Sequence, residues 1–417
     1  GRKMNVQKSE LDAVVEAGRI LVTSGAEVYR VEETMKHMAE VFGITNFESY
    51  VVNGAVIVSG CTRRGKAEAR VANVIAISVN LGKLEAVNAL SRSLKVGIRV
   101  NPQYVQMRLK MIEEMKGYSY IWVLIAYFIG ALGFSLALGS SWIDSIISGV
   151  AGMSLGLVMV PMQKFVKAQF LQTIVGSTVV TFVACVLHWM GLGEHIGLMI
   201  LGALMVMVPG AAFVNSVREF SQNNYSTGLT LLMSALLTGI SISVGVAMVI
   251  AILPFANQMS EVFSGDIQGI MGWIVRVVSA GIGTVAFALL YGTPKRYFWD
   301  LFWVSAMSWL LYLVFNLYLQ QEVLSTLLPG IIVVLCSRAL SVRRRCPMTI
   351  FLATSIFPLV PGLSFYRAVY FLIVGHEMLA LQYMHSCATS AFTIIMAISV
   401  VQQMPIKWFQ FMRKGKK

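Results

Sequence analysis

The chain has 417 residues, of which 57% are hydrophobic and 13% charged, and its formal net charge is +13. A soluble protein carries about 25% charged residues, so this composition argues against an ordinary soluble enzyme and places most of the chain in a lipid bilayer. Many basic residues lie in short loops between apolar runs, where they orient a membrane protein. We therefore expect a bilayer, and no nucleic acid, as the partner.

Cysteine and histidine spacing predicts no metal or disulfide chemistry. The chain has five cysteines and five histidines, without a CxxC pair or an HExxH motif. An odd number of cysteines, three of them in or beside apolar runs, argues against a disulfide framework. We expect no metal and no cofactor, and no nucleophile–base pair or phosphate-binding loop indicates an enzyme.

Residues 1–117 are predicted to form a cytoplasmic α+β domain. Helical spacing of apolar residues predicts one helix ending at Gly25 and a second over Glu27–Phe42. Asn53-Gly54 predicts a hairpin between two strands. The remaining predicted elements are a strand over 69–78, a helix over 81–94 and a basic amphipathic lead-in helix over 101–116.

The rest of the chain contains ten apolar segments, each close to the roughly 20 residues that a helix needs to cross a bilayer. We predict a polytopic α-helical membrane protein. The segments span about 120–139, 143–162, 169–190, 196–217, 229–253, 270–291, 298–318, 323–341, 349–372 and 384–404.

The loops between these segments alternate in charge, which predicts the orientation of the chain. Lysine and arginine are confined to alternate loops and the C-terminal tail, while the intervening loops carry only acidic charges. Basic loops stay in the cytoplasm, so both termini are expected there, with the protein in the cell membrane. The basic positions are Lys164, Lys167, Arg218, Lys295, Arg296, Arg343, Arg344, Arg345, Arg413, Lys414, Lys416 and Lys417.

Five segments fall in residues 118–258 and five in 259–417, which predicts two related halves. Asp144 opens the second segment of the first half, and Asp300 opens the second segment of the other. An odd number of crossings per half turns the second half upside down. Inverted repeats of this kind are typical of secondary transporters, whose sites lie where the repeats meet.

The tripeptide Val-Pro-Gly occurs at 208–210 and again at 360–362, in the fourth segment of each half. Proline lacks an N–H group and glycine is conformationally free, so each copy predicts a helix broken at membrane depth. Such breaks expose backbone groups that transporters use to hold solutes, although a proline kink that only serves packing is the alternative. Aligning the two copies places Asn215 opposite Arg367. The candidate substrate-binding residues are Pro209, Gly210, Asn215, Arg218, Pro361, Gly362, Tyr366, Arg367 and the deep Arg276.

Three carboxylates are candidates for proton coupling: Glu219, Asp144 and Asp300. A charge at mid-bilayer costs about 2.5–3.5 kcal/mol on insertion scales and therefore needs a partner or a wet cavity. For Asp144 and Asp300, which lie near segment ends, reaching the headgroups is the alternative. For Arg218 and Glu219 the alternative is a surface ion pair.

The densest polar cluster of the N-terminal domain runs from Gly25 to Glu33, where Glu27, Arg30 and Glu33 are spaced for pairing along a helix. With the later TRRG and NLGKLEAVNALSRSL, the stretch SGAEVYRVEETM resembles the cytoplasmic domain of the ThrE-type threonine/serine exporter family. The ten spans and paired breaks resemble its membrane part in the fused form. The motif candidates are Glu27, Tyr29, Arg30 and Glu33, to which the resemblance assigns no catalytic role.

The resemblance implies export of small amino acids driven by the proton motive force, with succinate-like dicarboxylates for some two-chain members. We therefore expect a secondary exporter of threonine or serine and not an enzyme. A dicarboxylate exporter is the alternative, because Arg276 and Arg367 suit two carboxylates. A membrane-anchored enzyme and a passive channel are less favoured. The N-terminal domain is a candidate gate or a module for homo-oligomer formation.

Overall fold

The computed structural model describes residues 9–52, 54–253, 269–356, 359 and 362–413, and most of these residues are helical. Three groups of elements follow one another along the chain. We name them the N-terminal region (α1 to α4), the first half (α5 to α10) and the second half (α11 to α16).

The N-terminal region packs four helices against a three-stranded antiparallel sheet of order β1-β2-β3. Ser9 and Asp12 form a capping box that starts α1. Strand β3 ends at Asn73, earlier than predicted, because its partner β2 begins at Ala55, opposite Asn73. The elements are α1 Glu10–Thr23, α2 Val28–Val41, β1 Thr45–Val52, β2 Ala55–Cys61, β3 Ala67–Asn73, α3 Leu81–Ser93 and α4 Pro102–Glu113.

The two halves have the same order of helices: three long ones, a pair of short ones, and a final long one. The first half contains α5 Tyr120–Ala137, α6 Trp142–Phe165, α7 Gln169–Trp189, α8 Ile196–Leu204, α9 Gly210–Ser221 and α10 Tyr225–Ile252. The second half contains α11 Gly269–Leu290, α12 Phe298–Leu319, α13 Glu322–Arg344, α14 Thr349–Ser355, α15 Gly362–Val374 and α16 Glu377–Gln402. A 3-10 turn precedes α12, and another follows α16.

Eight helices of the described chain are long and apolar enough to cross a membrane, which makes this a polytopic membrane protein. They are the four long helices of each half. The fourth predicted segment of each half is divided instead, into α8 and α9 or into α14 and α15.

The halves meet along α5 and α11, which run antiparallel. A Cβ atom at Gly130 would contact Phe287, and one at Gly133, one turn further along α5, would contact the Ser279 carbonyl oxygen. Later residues of α5 therefore contact earlier residues of α11, as in an antiparallel pair of helices. Phe134 stacks on Phe287 with ring centroids 4.6 Å apart. Small residues allow this close approach. Each helix also contacts its own half in the same way, α5 touching α6 and α8, and α11 touching α12 and α14.

Candidate functional site

The first Val-Pro-Gly copy breaks its helix as predicted. Helix α8 ends at Leu204 and α9 begins at Gly210. Pro209 has no N–H to donate, and the Gly210 N–H donates to the Val208 carbonyl at 2.8 Å in a tight turn. Near the end of α8, the Leu201 and Leu204 carbonyls accept from the Met205 and Met207 N–H groups at 3.2 and 2.8 Å, so the break leaves only part of the helix ends without helical bonds.

The second copy lies at a comparable interruption. Helix α14 ends at Ser355, and α15 begins at Gly362. Val360 and Pro361 lie outside the described residues.

A cavity of about 360 Å³ connects the first break with the N-terminal region. Val208, Pro209 and Ala212 line it at the break, and Gly25, Ala26 and Val28 line it on the opposite side. Besides the hydroxyls of Ser78, Tyr127 and Tyr291, its polar lining side chains come from four helices of the first half, α6, α7, α9 and α10. They are Gln163, Gln169, Gln172, Thr173, Asn215, Glu219, Thr227, Ser234 and Thr238.

Helix α10 contributes a polar face to this cavity that the sequence reasoning missed. Thr227, Ser234 and Thr238 recur at helical spacing and all line the cavity. Asn215 and Glu219, four residues apart, form the matching face of α9. The sequence did contain a signal for this face, because hydroxyl-bearing residues recur there at intervals of seven and then four residues in an otherwise apolar segment.

Asn215 is the predicted binding residue that the structure places best. It is 5% exposed and lines the cavity. Its Nδ2 donates to the Gly25 carbonyl at 3.4 Å, whereas its Oδ1 has no hydrogen-bond partner among the described residues. A buried acceptor without a donor costs about 1–3 kcal/mol, so a ligand that supplies a donor here would be favoured.

Arg218 does not form the surface ion pair with Glu219 that was considered from the sequence. Its guanidinium pairs with the Glu27 carboxylate of the N-terminal region, and the two side chains are only 3% and 2% exposed. Arg218 also donates to the Thr349 hydroxyl at 2.9 Å. Adjacent helical positions diverge, so Arg218 and Glu219 point to different partners.

Glu219 is buried on the cavity side of α9 and accepts two hydrogen bonds. The Val28 N–H donates to it at 2.8 Å and the Asn224 side-chain amide donates at 2.9 Å. Glu27 and Glu219 thus tie the start of α2 to α9. The predicted pairing of Glu27 along its own helix is wrong, because Glu27 precedes α2 and its carboxylate pairs with Arg218.

The other motif residues remain at the surface. Tyr29 is 52% exposed, and Arg30 contacts Glu33 at 3.8 Å with both side chains substantially exposed. Only Glu27 of the predicted motif set is buried.

Three candidates of the second half, Tyr366, Arg367 and Arg276, lie away from the cavity. Tyr366 is buried, and Arg367 donates to the Tyr383 hydroxyl at 3.2 Å with its guanidinium over that ring. Arg276 is half-buried on α11. Among the described residues, none of these three lines the cavity.

The two predicted coupling aspartates occupy equivalent places in the two halves. Asp144 is fully buried and accepts hydrogen bonds from the Glu194 N–H at 2.9 Å and His195 Nδ1 at 3.0 Å, so it does not reach the headgroups. Asp300 pairs with Arg344 at 2.9 Å and is more exposed. Asp144 joins the start of the second helix of its half to the connection after the third helix, and Asp300 joins the start of its second helix to the last residue of the third.

Comparison with known proteins covers both halves of the chain. Residues 12–253 match the family described as "Putative threonine/serine exporter", and residues 267–404 match that described as "Threonine/Serine exporter, ThrE". A protein of Mycobacterium tuberculosis named "Probable threonine/serine exporter" is 20% identical over 369 residues, which cover 86% of this chain and 69% of that protein. No solved structure matches the chain.

Proposed function

This chain belongs to the threonine/serine exporter family, and we propose that it moves serine or threonine out of the cytoplasm. The observation that carries the proposal is Asn215, a residue of the cavity lining at the helix break whose buried amide oxygen has no partner among the described residues. A cavity of about 360 Å³ also falls in the size range of small-molecule sites, about 300–1,000 Å³.

The broken helix offers complementary groups for a zwitterion. The first amides of α9 carry the positive end of the helix dipole and suit a carboxylate. The hydroxyl of Ser234, which lines the same cavity, supplies a further donor, whereas the Thr238 hydroxyl donates to the Ser234 carbonyl at 2.9 Å and can accept. Asn215 Oδ1 supplies an acceptor for an ammonium or a hydroxyl group.

The composition of the lining favours an amino acid over a dicarboxylate. Within the described residues, Glu219 is the acidic side chain of the lining, and no lysine or arginine belongs to it. A second carboxylate would therefore have no cation to pair with and would be repelled by Glu219. Arg276 and Arg367, which suggested the dicarboxylate alternative, lie elsewhere.

We propose that the halves are inverted repeats, with the N-terminal region forming a cytoplasmic domain over residues 1–117. The antiparallel packing of α5 and α11 supports the inversion. The basic loop residue Arg296 and the Arg218 near the α9–α10 connection both contact the N-terminal region, as expected if the basic loops share its side. Two halves of this kind permit alternating access.

We propose that export is coupled to protons through Glu219, which lies in the cavity. Its two donors are neutral amides, so the side chain accepts a proton without breaking an ion pair. Asp144 and Asp300, each paired with a basic residue, are secondary candidates.

Efflux from proteoliposomes tests the proposal. Vesicles loaded with radiolabelled serine, threonine or succinate are diluted into buffer with and without an imposed proton gradient. We expect rapid efflux of serine or threonine that responds to the gradient, and slow efflux of succinate. Succinate as the preferred solute would favour the dicarboxylate alternative, and efflux indifferent to the gradient would indicate a passive channel.

A further inference from the structure

The N-terminal region is attached to the second half by apolar packing. Its core continues into membrane helices through side chains that all come from the second half: Ala288, Tyr297, Leu301, Cys346, Ile350, Phe351 and Ala353. The Leu81 N–H also donates to the Tyr291 carbonyl at 2.8 Å, and Glu85 bonds Arg296 and Tyr297. We call this contact the anchor.

The contact with the first half has a different chemistry. No described residue of the first half belongs to that apolar cluster. Instead, Glu27 pairs with Arg218, and the Val28 N–H donates to Glu219 at 2.8 Å. We call the Glu27–Arg218 pair, with its neighbours on α9, the latch.

The two contacts differ in how readily they separate. Parting the anchor exposes apolar surface to water, with a cost that grows with the area exposed. Parting the latch allows both charges to be hydrated, which offsets much of the lost Coulomb attraction. A motion between the halves would therefore leave the anchor joined and open the latch.

The latch also closes the cavity. Gly25, Ala26 and Val28, within two residues of Glu27, line the cavity, where the Gly25 carbonyl and the Val28 N–H are hydrogen-bonded to Asn215 and Glu219. If the start of α2 left α9, the cavity would open on the side of the N-terminal region.

We propose that the N-terminal region is a gate that moves with the second half and closes the cavity against α9 through the Glu27–Arg218 pair. Glu27 is then a positioning residue of the transport cycle, which gives the buried motif glutamate a role. The inference rests on the proposed transport function, but the gate has a signature that needs no substrate.

Cysteine labelling measures the gate directly. In a cysteine-free background, Thr238→Cys places a thiol in the cavity, and a membrane-impermeant maleimide is applied from the side of the N-terminal region. We expect Glu27→Gln to raise the labelling rate by about tenfold, because loss of the pair shifts the closed–open equilibrium. Glu27→Asp, which keeps the charge, should restore much of the slow labelling.

The matched control is Glu85→Gln, which removes an equally buried carboxylate from the anchor. A merely structural loss would affect both variants alike, whereas the gate predicts faster labelling for Glu27→Gln alone. Equal labelling rates in the two variants, or no change in Glu27→Gln, would overturn the proposal.

Cross-linking provides a second test that does not depend on that variant. Glu27→Cys with Gln222→Cys bridges the latch, whose side chains approach to 3.4 Å, and Glu85→Cys with Arg296→Cys bridges the anchor. With a reducible bifunctional methanethiosulfonate, we expect the latch bridge to block serine efflux until reduction and the anchor bridge to permit it. Efflux through a bridged latch would refute the gate. Absence of serine efflux from every variant would refute the proposed substrate, and labelling would still decide the gate.

Discussion

The two broken helices occupy the same place in their halves but have different surroundings. Around α9 lie a cavity, the buried side chains of Asn215 and Glu219, and the N-terminal region. Around α15 lie aromatic side chains, with Tyr366 and Tyr370 buried and Arg367 held by Tyr383. A repeated sequence motif thus does not imply two equivalent sites. In this conformation the first break borders a cavity that can hold solvent, whereas the described residues at the second break are packed against other side chains.

Among substitutions that distinguish the two helix breaks, we expect Asn215→Leu to have the largest effect on serine efflux. The substitution fills the polar position with an apolar side chain of similar size and removes the vacant acceptor, so we expect serine efflux to fall at least tenfold, roughly the loss of one to two hydrogen bonds. Efflux assays on equal amounts of reconstituted protein measure it. The control is Asn316→Leu on the exposed face of α12, which should transport normally. Normal efflux in Asn215→Leu would remove the first break from the site.

Pro209→Ala should have the next largest effect. Alanine restores an N–H and a helix-forming backbone, so α8 and α9 would tend to join and withdraw the released backbone groups. We expect slower efflux with a raised half-saturating serine concentration. Pro329→Ala is a matched control, because Pro329 lies inside the continuous helix α13. Equal losses in both variants would indicate that proline serves only packing.

Arg367→Gln tests the second break. Since Arg367 does not line the cavity, we expect the ratio of serine to succinate efflux to stay near that of the unmodified protein, even if the total rate falls. A selective loss of succinate efflux would show that Arg367 contacts anionic solutes. Measuring both solutes in one preparation separates this outcome from poor folding.

Much of this architecture could be predicted from the sequence, because apolar length, loop charge and proline placement act locally. The first helix break followed from Pro209 and Gly210 alone. The partner of Arg218 could not be predicted this way. Glu27 lies 191 positions earlier in the chain, and its spacing from Arg30 and Glu33 suited a surface helix equally well.

The same limit explains why deep charges misled the reasoning about the site. The distance of a residue from the end of its apolar segment can be read from the sequence, but the direction in which its side chain points depends on how the helix packs against neighbouring helices. Arg367 contacts Tyr383, whereas the hydroxyl-bearing residues of α10 line the cavity. The sequence therefore located the break better than the side chains that surround it.

The smallest expected effect lies at the edge of the latch, where burial and then the charge of Glu219 raise the pKa of Glu32 above its ordinary value of 4.5. A carboxyl with a raised pKa in the folded state contributes stability below its unfolded pKa, and this contribution is lost as the pH rises through the folded value. Glu32→Gln should therefore have a slightly higher Tm than the unmodified protein at pH 8, and the same Tm at pH 4. Glu33→Gln is the matched control, since Glu33 is exposed beside Arg30 and should show no gain at pH 8. A gain in Tm for Glu32→Gln that persists at pH 4 would mean that the side chain acts through packing and not through its charge. The polar character assigned to the latch would then be wrong at this position.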